Sequence, residues 1–313
     1  MRALLVVNEQ ATTTSERSRD VLVRALRSAV DLEVAYTRRR GHATALARRA
    51  GTSAGLVVCH GGDGTVNEVV NGLMSAGTSA AERPALGVVP GGSTNVFARA
   101  AGLPRDWAEA TGVILEALRD AGGGVRSRTI GLGRADERYF TFCAGLGLDA
   151  AVVRRVERAR LRGRTSTPRL YLQSTMRQLL SRRERAASGI AVEVTSPDLP
   201  GEEQLATVIV QNTSPWTYLG DRPIDPNPDA SFELGLDVLA LRTLRVPGAA
   251  RTFGQMLSGR KAPHGRQVVR WHDLTELTLR AAVPQPFQVD GDYLGERGKV
   301  LLTAVPDALR VLC

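Results

Sequence analysis

The sequence predicts an α/β protein of two domains, the first built on a parallel sheet and the second mainly antiparallel. Over about the first 130 residues, short apolar runs alternate with helix-like segments, an order typical of parallel strands covered by helices. From about Ser127, strand-like segments follow one another with turn residues between them, which favours antiparallel pairing. A chain of 313 residues, 43% of them hydrophobic, is long enough for two cores.

In the first domain the apolar runs predict four strands, at residues 3–7, 32–37, 56–59 and 85–89. Helical periodicity predicts helices at residues 17–28, 43–50 and 66–74, and a further helix that begins within residues 95–101. In the second domain we predict strands at residues 139–144, 190–195, 206–211, 235–241, 276–280, 287–289 and 300–304. Residues 150–180 form its main helical insertion, and residues 121–124 are the best hinge candidate.

Charge and cysteine content restrict the class of protein. The formal net charge is +9, and 11 arginines against two acids cluster within residues 154–185. No run approaches the roughly 20 apolar residues that cross a bilayer. Cys59, Cys143 and Cys313 lie far apart without metal-type spacing, so we expect reduced thiols in a cytoplasmic protein.

A glycine-rich turn lies between a predicted strand and a predicted helix. Gly61, Gly62 and Gly64 let backbone N–H groups approach an anion, and the following helix N-terminus adds a positive dipole end. Asp63 lies inside the turn, where a carboxylate repels phosphate unless a metal ion or a substrate proton offsets its charge. The pattern therefore indicates a nucleotide site that uses Mg²⁺.

A second glycine turn, residues 90–95, repeats this arrangement after the next strand. Both turns fall at the carboxyl ends of parallel strands, where ligands bind in such sheets. The polar groups of Ser93, Thr94 and Asn95 could bond phosphate oxygens or cap the following helix. Thr37 closes another predicted strand on the same side, so its hydroxyl is a third candidate beside the simpler interpretation of a strand-end threonine.

Two carboxylates, Asp290 and Asp292, flank Gly291 after an apolar run. Asp-Gly is typical of a β-hairpin turn. Two acids one residue apart in a strand also point the same way, so Asp290 and Asp292 could share a site as general base and helper. The residues alone leave both interpretations open.

Together these motifs resemble the diacylglycerol kinase catalytic superfamily, which includes bacterial lipid kinases and sphingosine kinases. The resemblance rests on residues 60–73 (His-Gly-Gly-Asp-Gly-Thr-Val-Asn-Glu-Val-Val-Asn-Gly-Leu), 90–99 and 145–150. It implies a Rossmann-like parallel-sheet domain at 1–127 and a mainly antiparallel β-sandwich domain for the lipid substrate at 128–300. It also implies that residues 301–313 return to the first domain.

The resemblance further implies phosphoryl transfer from ATP to a lipid hydroxyl, with diacylglycerol as the first candidate and phosphatidic acid as its product. Asp290 is implied as the proton acceptor and Asp63 as the residue that holds Mg²⁺ directly or through water. The implied ATP-binding residues are Thr37, Gly61, Gly62, Asp63, Gly64, Thr65, Val66, Asn67, Gly92 and Ser93.

The sequence departs from the family pattern at three places. The first turn, Asn8-Glu9-Gln10-Ala11, lacks the usual Asn-Pro and later glycine, and Ser93 stands where a threonine is usual. Bacterial relatives often carry an Asp-Asp-Gly turn that holds a structural Mg²⁺. Here only Glu233 keeps a carboxylate in the matching stretch, so Glu233 is the one candidate ligand, and Glu233 and Asp237 also fit ordinary strand and turn acids.

Several alternatives stay open. The arginine-rich residues 154–185 could contact an anionic membrane surface or form a solvated helix packed on its own domain. A sphingoid-base kinase, an NAD kinase with a similar glycine turn, and a non-catalytic basic membrane-binding protein remain alternatives. Nucleic acid is not an expected partner, because aromatic residues are only 4% and no recognition motif is present. The sequence leaves a homodimer undecided.

Overall fold

The computed structural model describes residues 1–11, 16–119, 125–161, 189–195, 199–259 and 261–313 of the chain. These residues form two compact units: a first unit of Met1–Leu132 with Pro306–Cys313, and a second unit of Gly133–Val305. The predicted boundaries at 127/128 and 300/301 compare with 132/133 and 305/306 in the structure. The predicted hinge at 121–124 lies outside the described residues.

The first unit contains a parallel sheet with the strand order β4–β3–β1–β2. Its strands are β1 (Arg2–Val7), β2 (Asp31–Tyr36), β3 (Leu56–Gly61) and β4 (Ala85–Pro90), and its helices are α1 (Glu16–Arg27), α2 (His42–Ala50), α3 (Asp63–Met74), α4 (Val96–Ala100) and α5 (Trp107–Arg119). The α/β prediction for this part is confirmed. Helix α5 was not predicted, although Asp106 caps its start by accepting from the Ala108 N–H at 2.8 Å.

The core of the first unit shows why these segments fold as they do. Strands β3 and β4 are buried along their whole length, as expected for parallel strands with both faces covered. Leu22 and Leu26 of α1 and Ile114 of α5 pack against the sheet. Helix α2 packs closely on α3 because residue 72 is a glycine. A Cβ on Gly72 would lie only 2.5 Å from the Thr44 carbonyl oxygen.

The second unit is built from antiparallel strands, which confirms the second half of the predicted fold class. The path β14–β13–β10–β7–β15–β16 is antiparallel throughout, and β8 also pairs with β15. Its strands are β5 (Ser127–Ala135), β6 (Arg138–Phe140), β7 (Cys143–Gly147), β8 (Ile190–Val194), β9 (Glu202–Leu205), β10 (Thr207–Gln211), β11 (Thr217–Leu219), β12 (Arg222–Ile224), β13 (Leu236–Leu241), β14 (Val268–Leu274), β15 (Glu276–Val289) and β16 (Asp292–Leu312), of which β5 begins and β16 ends in the first unit.

Two helices belong to the second unit, α6 (Leu148–Leu161) and α7 (Val246–Ser258). The first is the beginning of the helical insertion predicted at 150–180, and residues 162–188 lie outside the described part of the chain. The second was not predicted. Among the described residues, no helix has both the length and the apolar character needed to cross a bilayer.

The end of β16 joins the first unit. Val311 pairs in parallel with Leu86 of β4. Arg83 is buried and donates to the Ala308 carbonyl oxygen at 2.8 Å, while Arg310 donates to the Arg83 carbonyl oxygen at 2.9 Å. These arginine side chains satisfy backbone acceptors on both sides and fix residues 306–313 beside β4.

A buried carboxylate in the second unit is paired with a histidine. Asp237 of β13 is fully buried, so it is not an ordinary surface acid. His272 of β14 places Nδ1 2.8 Å from Asp237 Oδ1, and the Asp273 N–H donates to the same oxygen at 3.0 Å. The hydrogen bond to Asp237 raises the pKa of His272, partial desolvation opposes it, and the charges of Asp237, Asp229 and Asp273 add to the rise.

This pair predicts a pH-dependent stability. Because the pKa of His272 is raised in the folded state, the pair stabilises fully below about pH 6.5, and its contribution disappears as the pH rises through the raised value. The His272 side chain is 50% exposed, so we expect less than about 1 kcal/mol. Urea unfolding at several pH values should show this loss in the wild type and not in His272→Gln. A His264→Gln control should keep the wild-type slope, and identical slopes for wild type and His272→Gln would contradict the assignment.

Candidate functional site

The two glycine turns of the first unit touch each other through their backbones. The Gly91 N–H donates to the Gly61 carbonyl oxygen at 2.9 Å. A Cβ on Gly62 would lie 3.1 Å from Gly92 Cα, and a Cβ on Gly92 would lie 2.7 Å from Gly62 Cα. Glycine is therefore required at position 92 and favoured at position 62, and the structure brings together the two turns that the sequence analysis singled out.

Helix α3 begins directly behind the first turn. Gly62 is its N-cap residue, and no side chain caps the helix there. The Thr65 and Val66 N–H groups donate to the Gly62 carbonyl oxygen at 2.9 and 3.1 Å. The first turn of α3 thus presents the positive end of its dipole beside partly exposed backbone at Gly62, Asp63 and Gly64, an arrangement suited to an anion.

Asp63 caps a different helix from the one it begins. Its Oδ1 accepts from the Phe97 N–H in the first turn of α4 at 3.1 Å. The carboxylate is partly exposed and is held in position by this contact. Asp63 therefore joins the first glycine turn to the helix that follows the second.

Asn95 closes the second turn. It adopts a left-handed conformation with φ of 50°, and its side chain exchanges two hydrogen bonds with Gly92. The Gly92 N–H donates to Asn95 Oδ1 at 2.9 Å, and Asn95 Nδ2 donates to the Gly92 carbonyl oxygen at 2.8 Å. The helix-cap interpretation of Asn95 is wrong, because its side chain makes no helix-cap bond. Its contact with phosphate stays a prediction, although Oδ1 and one N–H of the amide are engaged within the turn.

The other predicted ATP-binding residues differ in accessibility. Ser93 is exposed and Thr37 is half-buried, so both hydroxyls can reach a ligand. Val66 and Asn67 are buried, and the Asn67 side chain is 0% exposed. Asn71 Nδ2 donates to the Asn67 carbonyl oxygen at 2.8 Å. Burial is at variance with nucleotide contact by the Val66 and Asn67 side chains, and packing inside α3 accounts for both.

The two glycine turns, residues 61–64 and 90–95, together form what we call the cradle. The first turn after β1 supports it, although the sequence of that turn departs from the family pattern. Asn8 Nδ2 donates to Thr65 Oγ1 at 2.9 Å, and Asn8 Oδ1 accepts from the Gln10 N–H at 3.1 Å. The Thr65 hydroxyl is therefore bound to the protein, and Thr65 itself is buried. Its role in the site is to support the turn at Gly61.

Sequence reasoning missed Glu68. Its carboxylate accepts from the Gly41 N–H at 2.7 Å and from the Ala43 N–H at 3.1 Å, and so it caps the start of α2 from the neighbouring helix. Gly41 has no side chain to cap α2. A helix that begins at a glycine with no local capping residue was the one available signal that an acceptor comes from elsewhere.

His60, the first residue of the glycine motif, is fully buried. Its Nδ1 lies 3.2 Å from the Val89 carbonyl oxygen, and its Nε2 has no hydrogen-bond partner within the described residues. Burial lowers the pKa of His60, so the ring is neutral near pH 7. The residue links β3 to β4 just before the cradle.

In the second unit, Asp290 and Gly291 form the predicted hairpin turn between β15 and β16. Their φ angles are 47° and 79°, and Val289 pairs with Asp292 across the turn, as in a type I′ turn. Asp290 is only 4% exposed. Its two carboxylate oxygens accept four hydrogen bonds, from the N–H and Oγ1 of Thr141 and the N–H groups of Phe142 and Cys143, at 2.7, 2.9, 3.0 and 3.0 Å.

These contacts change the interpretation of the two hairpin acids. Asp290 anchors the bend between β6 and β7, which explains why the single strand predicted at 139–144 is divided in two. The four hydrogen bonds occupy both carboxylate oxygens of Asp290, which leaves fewer lone pairs for a substrate hydroxyl. Asp292 is only partly buried, and its Oδ2 lies 3.4 Å from Arg138 Nη2. The geometry favours Asp290 as an anchor and leaves Asp292 as the accessible acid.

Another buried acid, Asp149, lies beside the same hairpin at the start of α6. Gln288 Nε2 donates to Asp149 Oδ2 at 2.6 Å, and Gln288 Oε1 accepts from the Gly291 N–H at 2.9 Å. Burial raises the pKa of Asp149 to about 6, against the lowering effect of Gln288. A Cβ on Gly145 would lie 2.1 Å from Asp149 Oδ2, so Gly145 leaves the space that this carboxyl occupies.

The described residues contain no group of three or more His, Cys, Asp or Glu side chains that could hold a metal ion. Glu233 is exposed and accepts a hydrogen bond from the Ser231 hydroxyl. This exposed environment does not fit a closed metal site at Glu233.

The anchoring role of Asp290 is testable by stability. In Asp290→Asn, the amide nitrogen would face buried N–H and O–H donors that now bond a carboxylate oxygen, so we expect a loss of at least about 2 kcal/mol in unfolding free energy. Asp292→Asn in the same hairpin removes the partly exposed ion pair with Arg138 and should cost under about 1 kcal/mol. Chemical denaturation measures both. Equal stability of Asp290→Asn and the wild type would contradict the anchor.

Residues 2–122 match the family model described as the diacylglycerol kinase catalytic domain. The chain is 46% identical over 92 residues to the diacylglycerol kinase of Bacillus subtilis (strain 168), covering 29% of this chain and 27% of that protein. It is 35% identical over 129 residues to the diacylglycerol kinase of Staphylococcus haemolyticus (strain JCSC1435), covering 41% of this chain and 36% of that one. The chain thus aligns with about a third of the length of these curated relatives.

A crystal structure of a diacylglycerol kinase from Bacillus anthracis str. Sterne is similar over 99% of this chain and 96% of its own, with a TM-score of 0.71 and 20% sequence identity. At that identity the likeness establishes the fold. The resemblance to the diacylglycerol kinase catalytic superfamily predicted from the motifs is confirmed over residues 2–122.

Proposed function

With residues 2–122 identified as a diacylglycerol kinase catalytic domain, we propose that this chain is a lipid kinase that transfers the γ-phosphate of ATP to a lipid hydroxyl. The observation that carries the proposal is the backbone contact between Gly62 and Gly92 at the uncapped start of α3. Diacylglycerol is the proposed acceptor and phosphatidic acid the product, because the relatives that match are named for that substrate.

Backbone amides would bind the phosphates of ATP. We assign this role to Gly61, Gly62, Gly64 and Gly92, because glycine-rich turns and helix N-termini offer N–H groups that an anion can approach closely. The hydroxyls of Thr37 and Ser93 would complete the contacts, since both side chains reach the surface. Asn8, Thr65 and Asn95 support this cradle from within, through the hydrogen bonds described above.

Asp63 fits a magnesium ligand. Mg²⁺ is usually held by one or two carboxylates together with substrate phosphates and water, so a single acid inside a phosphate cradle is a sufficient protein contribution. The Phe97 N–H fixes the direction of this carboxylate, and Asp63 would hold the ion directly or through water. When bound, Mg²⁺ would neutralise charge on the phosphates during transfer.

We propose Asp292 as the proton acceptor for the lipid hydroxyl. In the reaction, the hydroxyl oxygen forms a bond to the γ-phosphorus, the bond from that phosphorus to the leaving oxygen of ADP breaks, and the hydroxyl proton passes to the carboxylate. Asp292 is accessible and Arg138 orients it. Asp290, the proton acceptor that the resemblance implies, would instead hold the hairpin in the conformation that positions Asp292.

A lipid kinase also has to reach its substrate, and we propose peripheral contact with an anionic membrane surface at the cytoplasmic face. Of the arginine-rich residues 154–185, only 154–161 are described. Arg154 donates to Glu296 at 3.1 Å and lies 5.8 Å from the centre of the Tyr293 ring. Arg154 is therefore engaged within its own unit, and the proposal depends on the other arginines.

Membrane contact predicts co-sedimentation with vesicles of anionic lipid at low salt, with binding lost as salt is raised, because the attraction is electrostatic. Neutral vesicles are the control. An absence of binding to anionic vesicles at low salt would contradict the proposed contact without bearing on the chemistry.

The kinase proposal is tested with labelled ATP and Mg²⁺, offered with diacylglycerol, sphingosine or NAD. We expect labelled product in the organic phase with diacylglycerol. Asp292→Asn should lower kcat by about 10²-fold or more, as loss of a general base does, and Asp63→Asn should abolish Mg²⁺-dependent turnover.

Glu203→Gln, which removes an exposed acid from β9 of the second unit, is the matched control and should retain activity. Product only from NAD, in the aqueous phase, would identify a different kinase. Full activity of Asp292→Asn would remove the acceptor assignment while leaving the lipid kinase proposal intact.

A further inference from the structure

The loop that follows β2 carries three consecutive arginines, Arg38, Arg39 and Arg40, which we call the arginine loop. All three are exposed. The loop leaves the carboxyl end of β2, and the glycine turns leave the carboxyl ends of β3 and β4. Because the four strands are parallel, the arginine loop and the phosphate cradle lie at the same edge of one sheet.

The backbone of this loop is fixed by hydrogen bonds. The Arg38 N–H donates to His42 Nδ1 at 3.1 Å, and the His42 N–H donates to the Arg39 carbonyl oxygen at 3.1 Å. Gly41, at a φ of 79°, turns the chain into α2 and donates its N–H to Glu68.

Glu68 also locates the loop relative to the cradle. It lies five residues after Asp63 in α3, which corresponds to about 7.5 Å along the helix axis. The Gly41 nitrogen is 2.7 Å from the Glu68 carboxylate, so the loop is tied to the first turns of α3. The backbone of the arginine loop therefore lies within about one and a half helical turns of the N-terminus of α3.

The arginine side chains of the loop differ from others in the same unit. Arg19 pairs with Glu9, and Arg49 lies 2.6 Å from Glu33. For Arg38 and Arg39, no carboxylate in the described part of the chain lies within ion-pair distance. Two exposed guanidinium groups on a hydrogen-bonded backbone supply positive charge at the edge of the sheet where the glycine turns lie, whereas Asp63 in the first turn carries the opposite sign.

We propose that Arg38 and Arg39 bind the terminal phosphates of the nucleotide and so make the site prefer a triphosphate to a diphosphate. The proposal rests on the proposed function and deepens it by assigning the residues that distinguish ATP from ADP by the number of phosphates. Adenosine, without phosphates, would not use these contacts.

The test is direct binding of ATP, ADP and adenosine to the full chain by calorimetry, without lipid. Arg38→Gln/Arg39→Gln should raise the Kd for ATP at least about tenfold, raise that for ADP less, and leave that for adenosine unchanged. Arg24→Gln/Arg27→Gln is the matched control. It removes the same charge from two exposed arginines near the end of α1, which lies at the opposite edge of the sheet, and it should leave all three Kd values near those of the wild type.

The outcomes separate the two proposals. A wild-type chain that binds none of the nucleotides contradicts the proposed function. If the wild type binds ATP and Arg38→Gln/Arg39→Gln binds it equally well, the arginine loop has no such role. An equal loss in both double variants would indicate net charge alone, and an equal loss for ATP and adenosine would indicate a structural defect. Either result overturns the inference, as does loss of anionic-vesicle binding with an unchanged Kd for ATP.

Discussion

The close approach of two backbones, at Gly62 and Gly92, is the constraint on which the first unit's site depends. A Cβ on Gly92 would lie 2.7 Å from Gly62 Cα, and a Cβ on Gly62 would lie 3.1 Å from Gly92 Cα, so neither turn can take a larger residue there unless the other turn shifts. A cradle of this kind is made of main-chain amides, and its shape is therefore set by turn geometry rather than by side-chain rotamers. Phosphate recognition built on amides needs this rigidity, because backbone groups cannot reorient to follow a ligand.

Much of the glycine motif consists of residues that hold this geometry. Asp63 joins the first turn to α4, Glu68 joins α3 to the start of α2, and Gly72 lets α2 and α3 pack closely. His60 joins β3 to β4 through the Val89 carbonyl oxygen. Many residues of the motif therefore connect elements of the first unit, three helices and two strands in all, and only a few positions are left to contact a ligand.

The fold class could be predicted because the spacing of apolar residues distinguishes strands from helices, and the order of these elements along the chain distinguishes a parallel from an antiparallel sheet. The sequence identified Gly62, Gly92 and Asp63 as neighbours because strand ends in a parallel sheet share an edge. It could not predict the role of Asp290, since the donors of Thr141, Phe142 and Cys143 come from nearly 150 positions away in the chain. Asn67 was assigned to the nucleotide by resemblance alone. The sequence does not show that it is buried in α3, and the structure does. Helix α5 was missed although Asp106 marks its start.

Residues 306–313 make the first unit discontinuous in sequence. Arg83 and Ala308, which bond each other, are 225 positions apart, and the segment that pairs with β4 is supplied only after the whole second unit has been synthesised. Until then β4 is an open edge with unpaired backbone groups, the kind of surface that pairs with other chains. Strands β1 to β4 are synthesised before the second unit, but the first unit is complete only after it. A fragment that ends at residue 132 would lack the segment that pairs with β4.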